Sequence, residues 1–251
     1  MRAIIIAAGR GSRLMPLTAA APKCMIPLNG EPILHRAVRL LNAQGVDDIV
    51  VVRGYQAAFV ECAGCTYVLS PNWAEVNILG SLLSASDALD GDIIVLYGDI
   101  VYTSEVLRAA LRSAQDIAPV VDLDWITSYQ GRIAHPVEEA EKVLLVDGAV
   151  RRIGKGRVAL EDANGEFVGM LRLNEAGCRK LLDAADLSLA MTEPGLPRPR
   201  LSKASAYLAD LLQFMIDKGE QITPTLVMGG WREIDTIEDV ARAEDWLASP
   251  R

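Results

Sequence analysis

Aromatic side chains, long apolar runs and paired cysteine motifs are all scarce in this chain of 251 residues. Aromatic residues make up only 5% of the sequence, and there are two histidines and four cysteines. No run of about 18 apolar residues occurs, so the sequence predicts no membrane-spanning helix and no membrane partner. The cysteines include one C-x-x-C pair, Cys62 and Cys65, but no second pair at the spacing of a zinc site. The four are therefore expected to be reduced thiols.

The chain also lacks an excess of basic residues. It has 25 Lys and Arg against 33 Asp and Glu, a net charge of −8 and a pI near 4.9. A nucleic-acid partner would usually require a basic face, so we expect none. The apolar run at the start is too short for a signal peptide, which makes the cytoplasm the expected location. An anionic ligand would have to be held by a few concentrated cations, with help from a metal ion.

Apolar residues are abundant, at 51% of the total, and they follow alternating strand and helix patterns. Short apolar runs at 3–8, 48–52 and 92–97 indicate buried strands, and segments of helical pattern lie between and after them. This alternation predicts an α/β fold with a Rossmann-like, mostly parallel sheet and helices on both faces. We expect a single domain over 1–251, whose core is formed by 1–120 and 205–251.

The pattern changes between about 120 and 204. Short strands are predicted at 142–146, 149–153 and 165–173, and Asp147-Gly148 is typical of a hairpin turn. They predict a small antiparallel or mixed elaboration on the edge of the sheet. The stretch 191–203 contains three prolines and is predicted to be a mobile loop.

The opening stretch carries the most specific motif. After the strand at 3–8, the sequence continues with the glycine-rich turn Gly9-Arg10-Gly11-Ser12-Arg13. Glycines let backbone N–H groups approach an anion, and Arg13 and Lys23 add cations suited to phosphate oxygens. A dinucleotide fingerprint would need a third glycine where Leu14 stands. The full pattern G-x-G-x-R-L-x-P-L-T-x-x-x-P-K therefore predicts a loop that binds a polyphosphate.

Two acidic residues lie at positions where a carboxylate would be costly without a cation or a metal ion beside it. Asp99 follows Gly98 at the end of the apolar strand 92–97, and Asp235 lies just before the last predicted helix. A carboxylate beside apolar residues is costly unless a cation or a metal ion pairs with it. Two carboxylates that converge on a triphosphate can hold Mg²⁺. Each also has a simpler interpretation as a turn or helix cap, above all Asp235, because Thr236 follows it.

These motifs together resemble the nucleotidyltransferase family that activates sugar 1-phosphates and phosphorylated alcohols. The similarity includes 7–23, Gly98-Asp99 and the late Glu233-Ile234-Asp235-Thr236, and it spans nearly the whole chain. Within the family, the chain is most similar to the small cytidylyltransferases for phosphocholine and aminoethylphosphonate. The stretch 77–82 resembles their N-x-x-x-S-L helix start near the nucleotide, and 135–143 resembles their acceptor-side segment.

The resemblance implies a Mg²⁺-dependent transfer of CMP from CTP to a small phosphorylated amino-alcohol or phosphonate, with release of pyrophosphate. It implies that Asp99 and Asp235 hold Mg²⁺, and that Arg13 and Lys23 are catalytic residues that contact the phosphates. The nucleotide-binding residues that it implies are Ala7, Ala8, Gly9, Arg10, Gly11, Asn77, Ser81 and Gly98.

Fewer residues indicate the acceptor. Lys142 is a candidate for binding the acceptor phosphate or phosphonate, and equally an ordinary lysine of an edge strand. Asp122 and Asp124 could pair with a cationic amine, with cation–π contacts from Trp125 and Tyr129. The alternative for these four is a solvated acidic turn beside aromatic residues of the core.

Other functions share part of this pattern. A sugar-1-phosphate nucleotidyltransferase using UTP, dTTP or GTP would have the same motifs, because base choice depends on a few contacts near 77–81. A nucleotide-binding regulator without turnover is disfavoured because both carboxylates and both cations are present. A nicotinamide-dependent oxidoreductase is disfavoured because no acidic ribose ligand follows the strand 48–52. The sequence leaves open the acceptor, the oligomeric state and any role of His135 or 191–203 in acceptor binding.

Overall fold

The computed structural model describes residues 1–190, 201–202 and 204–249. Within them, the strands are β1 (Arg2–Ala7), β2 (Pro27–Leu28), β3 (Glu31–Pro32), β4 (Asp48–Arg53), β5 (Cys65–Leu69), β6 (Ile93–Tyr97), β7 (Ile100–Tyr102), β8 (Ile117–Asp122), β9 (Lys142–Val146), β10 (Ala149–Ile153), β11 (Gly165–Leu173), β12 (Thr225–Val227) and β13 (Trp231–Glu233). The helices are α1 (Ile33–Asn42), α2 (Ile78–Leu83), α3 (Ser104–Leu111), α4 (Trp125–Tyr129), α5 (Glu175–Ala190), α6 (Leu208–Asp217) and α7 (Ile237–Ala248). The predicted mobile loop at 191–203 lies outside the described residues, apart from Leu201 and Ser202.

The half of the main sheet that carries the opening loop is parallel. Strand β1 pairs in parallel with β4 on one side and with β6 on the other, and β5 extends the row beyond β4. Every residue of β6 is buried, as are five of the six residues of β1. Continuous apolar strands of this kind are expected where both faces of a parallel sheet are covered. The Rossmann-like architecture predicted from the sequence is confirmed.

The predicted antiparallel elaboration is present, but it is not confined to the edge of the sheet. Strands β9 and β10 do form an antiparallel hairpin at one edge. Strand β11, however, pairs with β6 in the interior of the sheet, and it also pairs with β8 and β9. The main order is β10-β9-β11-β6-β1-β4-β5, with β8 joined to β11 and β12 joined to β8. The sequence does not reveal this because a fully buried strand shows the same apolar run beside parallel and antiparallel neighbours.

A small second sheet brings the C-terminal segment back to the end of β6. Strands β7 and β13 pair antiparallel, and the Ile234 N–H donates to the Asp99 carbonyl at 2.9 Å. Helix α7 begins after Thr236, whose hydroxyl accepts from the Asp239 N–H at 3.3 Å. The Asp239 carboxylate accepts from the Thr236 N–H at 2.8 Å and completes a capping box. These contacts fix Asp235 between β13 and α7, close to Asp99.

One cluster of buried apolar side chains extends from Ala3 in β1 to Trp231 in β13, and it includes residues of β11 and α6. The elements on both sides of the sheet therefore share a core. No helix in the described part of the chain combines the length and the apolar character needed to cross a bilayer.

Gly177, in the first turn of α5, packs against the backbone that enters β8. A Cβ atom at this position would lie 1.8 Å from the carbonyl oxygen of Asp116 and 2.7 Å from its carbonyl carbon. Backbone atoms cannot rotate away from the added methyl group as a side chain could. We therefore expect Gly177→Ala to lower the free energy of unfolding by about 3 kcal/mol. Urea unfolding would measure this, with Asp183→Ala on the exposed face of α5 as the control. A Gly177→Ala protein as stable as the wild type would contradict this packing.

Candidate functional site

The opening loop leaves backbone donors free at the end of β1. Gly11 has a φ of 68°, and the short helical turn Ser12–Leu14 follows it. Among the residues that the structure describes, the backbone N–H groups of residues 9–13 donate no hydrogen bond. The buried Thr18 donates its hydroxyl to the Gly11 carbonyl at 2.9 Å and holds the loop in place. Free N–H groups in such a turn are suited to bind phosphate oxygens.

Lys23 lies at the centre of the candidate site. It packs against Gly11, where a Cβ atom would lie 2.9 Å from the Cβ of Lys23. Its ammonium group donates to Asp99 Oδ2 at 2.7 Å and to Asp235 Oδ1. Burial works to lower the pKa of Lys23, but the two carboxylates outweigh it and the pKa is raised above its usual value. The structure thus brings three of the predicted residues together around a permanently charged lysine.

Arg13 also binds Asp235. Its Nη2 lies 2.5 Å from Asp235 Oδ2, and its Nη1 lies 2.6 Å from Glu139 Oε2. His135 Nδ1 lies 3.3 Å from the same oxygen of Asp235. Burial works to raise the pKa of the Asp235 carboxyl, but Lys23, His135 and Arg13 hold it well below its usual range. Asp235 is therefore an ionised carboxylate surrounded by basic side chains.

An open cleft beside this cluster contains most of the predicted nucleotide-binding residues. Its volume is about 110 Å³. The predicted residues that line it are Ala7, Gly9, Lys23, Asn77, Ser81, Gly98 and Asp99. Ala8, Arg10 and Gly11 are not part of its described lining, and the Arg10 guanidinium lies 5.4 Å from the centre of the Tyr55 ring. The cleft therefore joins the opening loop, the start of α2 and the end of β6.

Two residues of the cleft have a structural reason for their identity. Asn77 caps α2, because its Oδ1 accepts from the Ile78 N–H at 2.8 Å. Gly98 packs against β1, where a Cβ atom would lie 2.7 Å from the Ile6 carbonyl oxygen.

Trp73 also lines the cleft and packs edge-on against Tyr55, with ring centroids 5.3 Å apart. Trp73 could not be predicted from the sequence, because a single aromatic residue after β5 belongs to no motif.

A second, smaller cavity of about 20 Å³ shares Tyr97 with the cleft. Its lining also includes Glu141, Lys155, Glu166 and Glu233. Burial raises the pKa of Glu141 to about 8, and burial together with the charges of Asp235 and Asp99 raises the pKa of Glu233 above its usual value. The resemblance includes Glu141, in the segment 135–143, and Glu233, in the late motif, but implies no role for either; Lys155 and Glu166 belong to none of its motifs. Glu166 could have been selected from the sequence, because it is a carboxylate within the apolar strand β11. The same cost of a carboxylate beside apolar residues selected Asp99.

The residues predicted for the acceptor line neither cavity. Asp122 accepts from a backbone N–H at 2.6 Å and from an indole N–H at 2.8 Å. Asp124 accepts from a threonine hydroxyl at 2.7 Å, and the buried Lys142 donates to a backbone carbonyl at 2.9 Å. Trp125 and Tyr129 are buried together, with ring centroids 5.9 Å apart. All five have structural partners, so the geometry adds no support to their predicted contact with an acceptor.

Comparison with known protein families gives a match over residues 3–163 to the MobA-like NTP transferase domain. The chain belongs to this family. The matched range contains the opening loop, Lys23 and Asp99, whereas Asp235 lies beyond it. The resemblance to nucleotidyltransferases that the motifs predict is confirmed.

Individual relatives of this NTP transferase domain include several cytidylyltransferases. The CTP:phosphoglutamine cytidylyltransferase of Campylobacter jejuni is 27% identical over 96% of this chain and 98% of the relative. The 2-aminoethylphosphonate cytidylyltransferase of Lancefieldella rimae is 37% identical over 41% of this chain and 44% of the relative. The solved structure of CTP:phosphocholine cytidylyltransferase from Streptococcus pneumoniae has a TM-score of 0.71 at 20% identity and covers 98% of both chains. That last similarity is one of fold.

The carboxylates of Asp99 and Asp235 suit a divalent cation. Both carboxylates already bind one cation, the Lys23 ammonium, and Asp99 Oδ1 is buried without a hydrogen-bond partner among the described residues. A second group, formed by His135, Glu233 and Asp235, has one potential ligand atom from each residue within 4.8 Å of the others. It contains an imidazole nitrogen, whereas Mg²⁺ prefers oxygen ligands. The pair of aspartates therefore fits Mg²⁺ better.

The raised pKa of Glu141 predicts that the stability of the protein depends on pH. Its pKa is about 8 in the folded protein against an ordinary value of 4.5, so between these values the folded state holds a proton that the unfolded chain has lost. The contribution of Glu141 to the free energy of unfolding should therefore fall as the pH rises from about 5 to 8, by up to 1.4 kcal/mol per pH unit. Urea unfolding at several pH values should show a flatter slope for Glu141→Gln. The exposed Glu161→Gln is the control, and a wild-type slope in Glu141→Gln would contradict the prediction.

Proposed function

We propose that this protein transfers the cytidylyl group of CTP to a small phosphorylated or phosphonate acceptor, of the type of phosphocholine or 2-aminoethylphosphonate, and releases pyrophosphate. The observation that carries the proposal is the Lys23 ammonium bound between Asp99 and Asp235, beside a cleft next to the free N–H groups of the opening loop. The cytidylyltransferases among the relatives support CTP as the donor.

In the proposed reaction, an oxygen of the acceptor phosphate or phosphonate attacks the α-phosphorus of CTP. A bond forms between that oxygen and the α-phosphorus. The bond from the α-phosphorus to the bridging oxygen breaks, and pyrophosphate leaves with the electron pair. The acceptor is already an anionic nucleophile, so no covalent intermediate is needed. Arg13, Lys23 and the loop N–H groups align the phosphates and offset their charge.

We also propose Mg²⁺ as the metal of this site, held by Asp99 and Asp235. When bound, Mg²⁺ supplies positive charge at the phosphate oxygens. Lys23 would have to release at least one of the two carboxylates, which its flexible side chain allows. Arg13 would keep Asp235 oriented through the contact at 2.5 Å.

A matrix of donors and acceptors tests the proposal. CTP, UTP, dTTP and GTP would each be paired with phosphocholine, 2-aminoethylphosphonate, phosphoglutamine and glucose 1-phosphate, and release of pyrophosphate measured. We expect turnover with CTP and an amine-bearing acceptor. Turnover restricted to another nucleotide with glucose 1-phosphate would replace the proposal by sugar-1-phosphate activation. If no pair of donor and acceptor released pyrophosphate, a nucleotide-binding regulator would be favoured.

A further inference from the structure

Three buried polar atoms on residues that line the small cavity have no hydrogen-bond partner within the described part of the chain. They are Tyr97 Oη, Glu141 Oε2 and Glu166 Oε2. Their residues are only 8%, 7% and 3% exposed, respectively. A buried polar group without a partner costs about 1–3 kcal/mol, and more when it is charged. Three such groups around one cavity indicate a surface suited to a ligand that donates hydrogen bonds.

The charged residues around the cavity indicate whether this ligand is also a cation. Among the described residues, the lining contains one basic residue, Lys155, and four acidic residues: Glu139, Glu141, Glu166 and Glu233. Arg13 binds Glu139 at 2.6 Å, and the Tyr129 hydroxyl donates to Glu166 Oε1 at 2.5 Å. Glu233 Oε2 lies 3.7 Å from Arg132 Nη2 and 3.6 Å from His135 Nε2, so the carboxyl groups of the lining that have no basic side chain within 4 Å among the described residues are those of Glu141 and Glu166. Burial raises the pKa of Glu141 to about 8 and that of Glu166 well above its usual value, so both carboxyl groups hold a proton when no cation is beside them. A ligand that carries positive charge would replace these protons and pair with the two carboxylates.

A primary ammonium group meets both requirements. It has one positive charge and three N–H donors, as many as there are unpartnered atoms. The cavity of about 20 Å³ has room for one water-sized group, which needs about 10–15 Å³. A trimethylammonium group is larger than this space and has no N–H to donate. A hydroxyl group donates only one hydrogen bond and carries no charge.

We propose that the acceptor carries a primary ammonium group and that Glu141, Glu166 and Tyr97 bind it in the small cavity. These residues would then select the acceptor. The inference rests on the proposed function, since the ammonium belongs to the molecule whose phosphate or phosphonate attacks CTP. The position suits this role, because Tyr97 lines both the cleft and the cavity, and Glu233 of the cavity is two residues from Asp235.

The first test compares acceptors on the wild-type protein. 2-Aminoethylphosphonate and 3-aminopropylphosphonate would be measured against propylphosphonate and butylphosphonate, in which a methyl group replaces the ammonium. With CTP and Mg²⁺, we expect kcat/KM for the better amine to exceed that of its methyl match by at least about 100-fold. The trimethylammonium analogue of 2-aminoethylphosphonate should fall close to the methyl compounds.

The second test uses variants that keep the shape of the cavity and remove charge. Glu141→Gln and Glu166→Gln should each raise KM for the amine acceptor about tenfold or more, because a charge-assisted hydrogen bond becomes a neutral one. Glu161→Gln, an exposed residue, is the matched control and should keep the wild-type KM. Calorimetric titration of 2-aminoethylphosphonate and propylphosphonate into the same proteins gives a readout that does not depend on turnover.

The outcomes separate the two proposals. Turnover with equal kcat/KM for amine and methyl acceptors, or a preference for trimethylammonium, would overturn the ammonium site and leave cytidylyl transfer in place. Absence of turnover with every acceptor would count against the proposed function, and calorimetry would then decide the ammonium site. Binding of the amine but not of its methyl match would support it. Binding of neither compound, or equal binding of both, would overturn it.

Discussion

Asp99→Asn is expected to lower kcat/KM for nucleotidyl transfer at least about 10³-fold while the protein still folds. The substitution keeps the shape of the side chain and removes the negative charge that binds Lys23 at 2.7 Å. It also removes one of the two carboxylates proposed to hold Mg²⁺. Pyrophosphate release at saturating Mg²⁺ would measure the effect, with circular dichroism to verify the fold.

The control for Asp99→Asn is Asp47→Asn, which removes the same charge at an exposed position before β4. It should have wild-type activity. If Asp99→Asn, or the more drastic Asp99→Ala, retained Mg²⁺-dependent turnover close to the wild-type rate, Asp99 would not be part of the reaction centre.

Lys23→Met is expected to have the second largest effect, and it should change the response to metal. Its side chain is only 11% exposed, and its loss leaves Asp99 and Asp235 without the cation that they share. Breaking a buried ion pair costs about 3–5 kcal/mol, so the Tm without metal should fall. Turnover should decrease by about 10²–10³-fold through loss of a charge that stabilises the transition state.

Mg²⁺ should raise the Tm of Lys23→Met more than that of the wild type, because the ion no longer competes with the lysine for the two carboxylates. Thermal unfolding with increasing Mg²⁺ would measure this difference. Lys218→Met, at an exposed position after α6, is the matched control and should respond as the wild type does. An equal response in Lys23→Met and the wild type would mean that Asp99 and Asp235 do not hold the metal.

Much of the fold follows from local patterns. The predicted limits of β9, β10 and β11 agree with the structure, because turn residues bound these short segments in the sequence. The place of β11 beside β6 could not be predicted, since a buried strand does not specify its neighbour. The same holds for the link between β7 and β13, which is what brings Asp235 to Asp99.

A residue of the candidate site could be predicted where it belongs to a motif, or where its charge would be costly without a partner. Lys23 and Asp99 are examples, one from the opening pattern and the other from a carboxylate at the end of an apolar strand. The small cavity could not be predicted because Glu141, just before β9, and Glu166, in β11, are far apart in the sequence. Only the folded chain shows that one oxygen of each lacks a partner among the described residues. Asp122 is predicted to pair with an amine, but its oxygens already accept hydrogen bonds from neighbouring N–H groups.

The most direct test of nucleotidyl transfer at Lys23, Asp99 and Asp235 is product analysis by ³¹P NMR after incubation with CTP, Mg²⁺ and 2-aminoethylphosphonate. Wild-type protein is predicted to form pyrophosphate and a new CMP–phosphonate diester in equal amounts, and Asp99→Asn is predicted to form neither. Equal product from the two proteins, or no product from the wild type with any acceptor of the matrix, would contradict this assignment.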